Sequence, residues 1–282
     1  MIKRILVPTD GSENSLTAAD YAGCIARLFK SGIKGLFVKD VKILTGPLFH
    51  DIGTSIGGMV PYGMFNQTIR EVLESQADAA LSQVEGKCEQ SGVSFSREIR
   101  EGVVSREILK SSEDCDLIVM GKMGIHAEWR DVFLGTTVEY VVRQSHKPVL
   151  ITPSEFKPFT KMLVAYDGSQ FADTALRSSA EIAQVMNLPV TVVAVAEKKE
   201  DADGTLAKAK ALLTPYNLAV NTIARLASDH AKGILDVCND EDAAYDFLVM
   251  GAYGHSKLQE MILGSTTVRV MRSTHCPILL CR

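Results

Sequence analysis

The stretch Asp246-Phe247-Leu248-Val249-Met250-Gly251-Ala252-Tyr253-Gly254, which continues nine residues later with Gly264-Ser265-Thr266, decides the fold expected of this chain. A short apolar strand enters a loop bracketed by glycines, and hydroxyl residues then start a helix. Glycine lets the main chain approach an anion with no Cβ in the way, and a helix start offers free N–H groups to that anion. Two glycines alone are common in strand-to-helix turns, but the full spacing favours a phosphate-binding loop.

The same pattern occurs earlier in the chain, where Asp116–Met120 leads into Gly121-Lys122-Met123-Gly124 and then Gly135-Thr136-Thr137. Gly135 precedes Gly264 by 129 positions. Near the other end of each copy, Asp10-Gly11-Ser12 corresponds to a second Asp-Gly-Ser with an offset of 157 positions, so the second copy is 28 residues shorter in its middle. A period this long indicates that a whole domain has been duplicated.

We expect one domain at residues 1–153 and another at 160–282, joined by a linker with two prolines. Apolar strands alternate with helices in the same order in both copies, which predicts an α/β fold of two repeated doubly wound domains. Each is expected to hold a five-stranded parallel sheet in the order 3-2-1-4-5, with helices on both faces. Because the first and fourth strands flank the switch in strand order, where ligands bind, we expect Asp167 opposite Gly251 and Gly254.

Composition is that of an ordinary globular protein, with 46% hydrophobic and 23% charged residues. A net charge of -4 and the lack of a nucleic-acid-binding motif disfavour nucleic acid as a partner. The N-terminus passes directly into a strand, and no apolar run is long enough to span a bilayer, so we expect a cytoplasmic protein without membrane contact. The six cysteines are scattered with no C-x-x-C pair and are expected to pack as small core residues.

The residues from Val249 to Ser265 resemble the G-x-x-G-x9-G-[ST] nucleotide loop of universal stress proteins. With Asp167 after the first strand and His275-Cys276-Pro277 before the last, the resemblance covers essentially all of both copies, and the chain looks like a tandem universal stress protein. It implies the fold inferred above and, as in some members of the family, ATP or AMP as ligand, with or without Mg²⁺. A carboxylate beside the base accepts from an adenine amino group and repels a guanine carbonyl, which also favours adenine.

The nucleotide-contacting positions that follow from the motif and the resemblance form one set in each copy. They are Asp167, Val195, Met250, Gly251, Gly254, His255, Gly264, Ser265 and Thr266 in the second copy, and Pro8, Asp10, Val38, Met120, Gly121, Gly124, Gly135, Thr136 and Thr137 in the first. Alternatives stay open for two of them. Asp167 also suits a turn and helix cap, and His255 suits an exposed loop as well as a phosphate contact.

The first copy departs from the family pattern. Ten residues, among them Trp129, separate Gly124 from Gly135 where the family has nine. Lys122, between the first two glycines, either supplies charge to a phosphate or is solvated. The segment 42–66 occurs only in this copy and shows no regular period, so we expect a mobile loop, a subunit contact or a lid there. The second copy is therefore the more regular nucleotide site.

The pattern favours a nucleotide-binding regulator of the stress response over an enzyme, because no magnesium-binding and water-orienting set accompanies the loops. A weak ATPase or autophosphorylating enzyme is the alternative, and a non-binding structural or adaptor dimer is a third reading. The last strand of each copy, Val149–Thr152 and Ile278–Cys281, is apolar and lies at a predicted sheet edge. The family resemblance implies that these strands pair, joining the two domains, and a homodimer is a further possibility.

Overall fold

The computed structural model describes residues 2–41, 62–124, 134–254 and 263–282, and of residues 62–68 it describes the backbone only. Most of the predicted loop at 42–66 lies outside these ranges, as does His255. The loop prediction is wrong at its end, because the long helix of the first half already begins at Tyr62. No helix within the described ranges is long and apolar enough to cross a membrane.

Strands and helices alternate within each half of the described chain. The strands are β1 (Arg4–Pro8), β2 (Gly32–Asp40), β3 (Phe95–Gly102), β4 (Leu117–Gly121), β5 (Val149–Thr152), β6 (Met162–Ala165), β7 (Val190–Ala196), β8 (Val220–Leu226), β9 (Phe247–Gly251) and β10 (Ile278–Cys281). The helices are α1 (Glu13–Phe29), α2 (Tyr62–Gln90), α3 (Val104–Ser111), α4 (Thr136–Gln144), α5 (Gln170–Met186), α6 (Lys199–Leu213), α7 (His230–Cys238) and α8 (Ser265–Ser273).

The strands form one ten-stranded sheet in the order β3-β2-β1-β4-β5-β10-β9-β6-β7-β8. Each half contributes five parallel strands in the order 3-2-1-4-5, so the predicted doubly wound fold is confirmed. The halves meet where β10 pairs antiparallel with β5, with Leu279 opposite Leu150. The duplicated sheets thus continue into each other along their last strands.

Helices cover both faces of the sheet. Successive residues of a strand point to opposite faces, so a strand that is apolar throughout must be covered on both. In β1, Ile5 and Val7 belong to one hydrophobic cluster and Leu6 to the other, and all three are fully buried. The first cluster includes Tyr21 of α1, and the second includes Val141 of α4. The continuous apolar strands are therefore a consequence of burial on both sides.

Helix α1 begins after Ser12, whose side chain caps it by accepting from the N–H of Ser15. At its end Lys30 takes the left-handed conformation, with φ of 56°. The corresponding end of α5 is capped by Asn187, with φ of 53°. A non-glycine residue thus supplies the left-handed cap in both halves.

Substituting Ser169 by alanine tests the cap of α5, whose backbone N–H at Ala172 donates to Ser169 Oγ at 3.2 Å. Because Ser169 is buried, the amide has no ready replacement in water, and we expect the free energy of unfolding to fall by about 1 kcal/mol. Denaturant titration measures this. Thr174→Ala, which removes an exposed hydroxyl in the same helix, is the control and should change stability by less than about 0.5 kcal/mol. Equal losses for the two variants would contradict the capping role.

Candidate functional site

The carboxyl ends of β6 and β9 lie side by side, with Ala165 paired to Met250. The chain leaves β6 through a turn in which Gly168 has φ of +80°, a conformation that favours glycine. In this turn Asp167 Oδ1 accepts a hydrogen bond from the backbone N–H of Ser169 at 2.9 Å. The turn therefore fixes one carboxylate oxygen of Asp167 at the edge where the strand order switches.

The second glycine of the loop after β9 lies against this carboxylate. A Cβ added at Gly254 would be 3.1 Å from Asp167 Oδ2. The first half repeats the arrangement, because a Cβ at Gly124 would be 2.5 Å from Asp10 Oδ2, and Asp10 Oδ1 accepts from the N–H of Ser12 at 3.0 Å. The structure thus brings the predicted aspartate and the predicted glycine of each copy together at the switch point.

The first glycine of each loop has a packing role that the sequence does not reveal. A Cβ at Gly251 would be 2.9 Å from the backbone nitrogen of Ala172 and 2.9 Å from the carbonyl carbon of Phe171. At Gly121 the corresponding atom would be 2.7 Å from the carbonyl oxygen of Asn14. Glycine is required here because the first helix of each half packs directly on the end of the fourth strand. Close packing therefore explains the presence of glycine at these two positions without a phosphate, and the predicted phosphate contact is a separate role.

The helix that follows each loop begins without a side-chain cap among the described residues. Gly264 and Gly135 are the N-cap residues, and they offer no side-chain acceptor to the first backbone N–H groups. Ser265 and Thr136 are exposed at the first helical position, and Thr266 and Thr137 follow them half-buried. Free amides, hydroxyl donors and the helix dipole are therefore available to an anion at both helix starts.

The predicted site residues on the strands lie at the same carboxyl edge of the sheet, but their side chains mostly pack in the core. Met120 and Met250 are both 6% exposed and belong to the hydrophobic core, so only their main-chain groups can face a ligand. Val195 packs against the start of α7, since a Cβ at Gly233 would lie 2.6 Å from Val195 Cγ1.

The first half places its own strand residues in the equivalent positions. Pro8 ends β1 opposite Leu36 of β2, and Val38 lies two residues further along β2. Val38 is half-buried and packs against the core. As in the second half, these are packing residues, and Asp10 and Gly124 are the predicted site residues that meet at this edge.

Lys122 does not lie free to meet a phosphate in the structure. Its Nζ donates to the carbonyl oxygens of Arg272 and Thr274, at 2.7 and 3.3 Å, and so reaches the carboxyl end of α8 in the other half. Desolvation by burial lowers the pKa of this amine. In the structure Lys122 neither faces a phosphate position nor lies in solvent, because it contacts the other half of the chain.

Tyr253 makes the reciprocal contact from the second half. Its Oη donates to the carbonyl oxygen of Arg143 near the end of α4 at 2.7 Å, and Arg282 also donates to that oxygen at 3.3 Å. Arg272 and Glu139 form an ion pair across the same boundary at 2.7 Å. Residues bracketed by the loop glycines therefore connect each candidate site to the last helix of the other half, a relation that only the joined sheet could reveal.

A cavity of ≈ 780 Å³ runs along α8 between the halves. It extends from Ser265, at the predicted phosphate end of the helix, to Thr274 and His275 at the other end, with Lys122 in its wall. Asp167 and Asp10 are not among its lining residues. The cavity therefore follows the boundary between the halves, with the start of α8 at one end and the contacts of Lys122 with Arg272 and Thr274 at the other.

Tyr253→Phe tests whether this boundary contributes to stability. Removing the hydroxyl leaves the Arg143 carbonyl with the longer bond from Arg282 alone, and we expect the free energy of unfolding to fall by about 1 kcal/mol. Denaturant titration followed by circular dichroism measures the change. Tyr216→Phe, in the short 3-10 helix after α6, serves as the matched control and should leave stability unchanged. An unchanged midpoint for both variants would show that the contact is energetically neutral.

Comparisons with known proteins agree with this architecture. The model of the universal stress protein family matches residues 1–153 and again residues 158–282. A universal stress protein of Synechocystis sp. is 29% identical over 287 residues, which cover 99% of both chains. One from Methanocaldococcus jannaschii is 34% identical over 54% of this chain and 82% of its own. The crystal structure of a universal stress protein from Archaeoglobus fulgidus is 26% identical, covers 99% of this chain and 98% of its own, and has a TM-score of 0.76.

The fold and the edge described above define a class of doubly wound α/β proteins in which a glycine loop faces an aspartate at the switch point. Within this class, the chain belongs to the universal stress protein family and carries two copies of its fold in tandem.

Proposed function

We propose that the chain is an adenine-nucleotide-binding regulator of the stress response, with one candidate nucleotide site in each of its domains, residues 1–153 and 160–282. The observation that carries the proposal is the close approach of Gly254 to Asp167, repeated by Gly124 and Asp10. Each pair sets a glycine against a carboxylate, and the loop that starts at this glycine leads to a helix with no side-chain cap among the described residues. Such an arrangement suits a nucleotide whose base lies near the carboxylate and whose phosphates lie at the helix start.

The phosphates would be held by main-chain and hydroxyl groups. The loop amides, the first N–H groups of α8 and the hydroxyls of Ser265 and Thr266 are the donors in the second half, with Gly135, Thr136 and Thr137 at the equivalent place in the first. The loops have no G-K-[ST] sequence and so no Walker lysine, and Lys122 bonds carbonyls of the other half. A bound Mg²⁺ would accordingly be held mainly by phosphate oxygens and water, as is usual for this ion.

The carboxylates support adenine over guanine. Asp167 Oδ1 accepts from the N–H of Ser169, and Oδ2 lies on the side of Gly254. That oxygen can accept from the amino group of adenine, whereas a guanine would present a carbonyl oxygen to it. We place the base between this carboxylate and the main chain near Val195, and the equivalent base of the first domain near Asp10 and Val38.

The pairing of β5 with β10 supports an intramolecular arrangement in which the two domains act as partners. Within the single chain, Lys122 and Tyr253 then connect each glycine loop to the last helix of the other domain. Homodimerisation would need a surface other than these two strands, since each already pairs with the other.

Isothermal titration calorimetry with ATP, AMP and GTP tests the proposal. We expect binding of ATP or AMP and at least tenfold weaker binding of GTP, a difference of about 1.4 kcal/mol. The panel also includes cAMP and dAMP, which two other universal stress proteins hold in their solved structures. Absence of heat with every nucleotide would overturn the proposal and favour a non-binding adaptor. Release of phosphate from ATP over hours, with and without Mg²⁺, separates binding from slow hydrolysis.

A further inference from the structure

Two cysteines that are distant in sequence lie in contact in the second half. Cys238 ends α7 and Cys276 precedes β10, and their Sγ atoms are 3.3 Å apart. The hydroxyl of Thr274 lies 3.3 Å from Cys276 Sγ and 3.8 Å from Cys238 Sγ. Two sulfurs at this distance need to move only about 1.3 Å to reach the bonding separation of a disulfide, which is about 2.05 Å.

The two thiols differ in their access to solvent. Cys276 is partly exposed, and its neighbours Thr274 and His275 line the cavity between the halves. Cys238 is buried, with 4% of its surface exposed. Cys276 is therefore the more accessible thiol of the pair, next to residues that line the cavity, and Cys238 is the shielded one.

The two thiols also differ in their tendency to ionise. Hydrogen bonds from the Cys238 thiol, the larger effect, and from the Thr274 hydroxyl lower the pKa of Cys276 against the opposing effect of burial. Donation to Cys276 and burial both raise the pKa of Cys238. The ammonium of Lys122, which bonds the Thr274 carbonyl at 3.3 Å, lies near enough to interact with the Cys276 thiolate. Cys276 is thus the nucleophile of the pair and Cys238 the thiol that keeps its proton.

The fold itself does not require this pair. In the first half, Lys147 stands at the position of Cys276, and Ser112, the C-cap residue of α3, stands at the position of Cys238, since Ile108-Leu109 aligns with Ile234-Leu235. The same elements are packed there without a sulfur atom at either place. Core packing alone therefore does not explain why two thiols meet in the second half.

We propose that Cys276 and Cys238 form a peroxide-reactive dithiol site, in which Cys276 is oxidised first and Cys238 then closes a disulfide. The Cys276 thiolate attacks one oxygen of hydrogen peroxide or of an organic hydroperoxide, the O–O bond breaks, and the leaving hydroxide or alkoxide takes a proton. Cys276 becomes a sulfenic acid. The Cys238 sulfur attacks the Cys276 sulfur, its proton leaves with the hydroxide as water, and the S–S bond forms. Two thiols are oxidised by two electrons, and one peroxide is reduced.

Oxidation of the full chain with a small excess of hydrogen peroxide, followed by unfolding, alkylation and mass spectrometry, tests the proposal. The six free thiols should fall to four, the unalkylated mass should fall by about 2 Da for the two hydrogens lost, and the cross-linked peptides should contain Cys238 and Cys276. Dithiothreitol should restore all six. Cys276→Ser should stop the reaction, and Cys238→Ser should leave a sulfenic acid at Cys276 that dimedone traps.

Cys115→Ser is the matched control, because Cys115 is a buried thiol of the first half and its loss should leave disulfide formation unchanged. Circular dichroism confirms that each variant is folded, and Cys276→Ala replaces Cys276→Ser if the latter is not. Six thiols remaining after oxidation of the wild type would overturn the proposal. So would a disulfide that still forms in folded Cys276→Ser, or a dimedone adduct located on Cys238.

Discussion

Replacing Gly251 by valine is expected to lower the free energy of unfolding by about 3 kcal/mol, the upper part of the range for overpacked buried sites. The Cβ itself would lie 2.9 Å from the backbone nitrogen of Ala172 and 2.9 Å from the carbonyl carbon of Phe171. Backbone atoms cannot rotate away as a side chain can, so α5 would have to move off the end of β9. Urea titration followed by circular dichroism measures the loss.

Gly204→Ala is the matched control for this substitution. Gly204 lies inside α6 with no heavy atom within 4 Å of an added Cβ. Alanine is the better helix former, so this variant should be stabilised by about 0.5 to 1 kcal/mol. Gly264→Ala, whose Cβ would make an ordinary contact at 3.5 Å with Thr267 Oγ1, should change stability little. A Gly251→Val variant as stable as the wild type would show that the strand and helix can separate at low cost.

Asp167→Asn is expected to lower the affinity of the second domain for ATP about tenfold and to raise its affinity for GTP, a change of about 1.4 kcal/mol for each tenfold step. Asparagine keeps an oxygen to accept from the N–H of Ser169, which Asp167 engages at 2.9 Å, so the turn should survive. The other carboxylate oxygen becomes an amide NH₂, which donates to a guanine carbonyl and no longer accepts from adenine. Calorimetry with both nucleotides measures the change in preference.

Asp10→Asn applies the same change to the first domain, and comparing the stoichiometry of the two variants shows which domain is loaded. Asp240→Asn is the control, because Asp240 accepts from the N–H of Asp242 at 3.0 Å in a similar turn on the surface. It should leave both affinities unchanged. Equal affinities for ATP and GTP in the wild type and in Asp167→Asn would contradict the proposed place of the base.

The fold was predictable because its signals are local and repeated. An apolar strand buried on both faces is continuous in sequence, as Ile5, Leu6 and Val7 show, and a helix cap such as Ser12 acts within three residues. Because the domain is duplicated, each strand and helix could be predicted from two independent stretches of sequence. The boundary of α2 was missed, because its first turn, from Tyr62, lies in a segment with no clear apolar period.

The site was predictable in part. The sequence predicts Asp167 opposite Gly251 and Gly254, and the structure has Gly254 beside Asp167, with Gly124 beside Asp10 in the first half. The reason for the first glycine of each loop was not accessible, since the atoms that exclude a Cβ at Gly251 belong to residues about 80 positions earlier. The ten-residue spacing that sets the first copy apart falls largely within 125–133, outside the described residues.

The sequence by itself determined the repeated α/β order, the strand order in each half and the pairing of aspartate with glycine, because backbone preferences and burial periods are properties of short segments. Only the tertiary structure decided that Lys122 bonds Thr274, 152 positions away, that Tyr253 reaches Arg143, and that Cys238 meets Cys276. These contacts depend on how the two sheets join and how the last helices lie beside them. The residues next to a side chain in sequence do not indicate a contact partner that lies far away in the chain and comes close only in the folded protein.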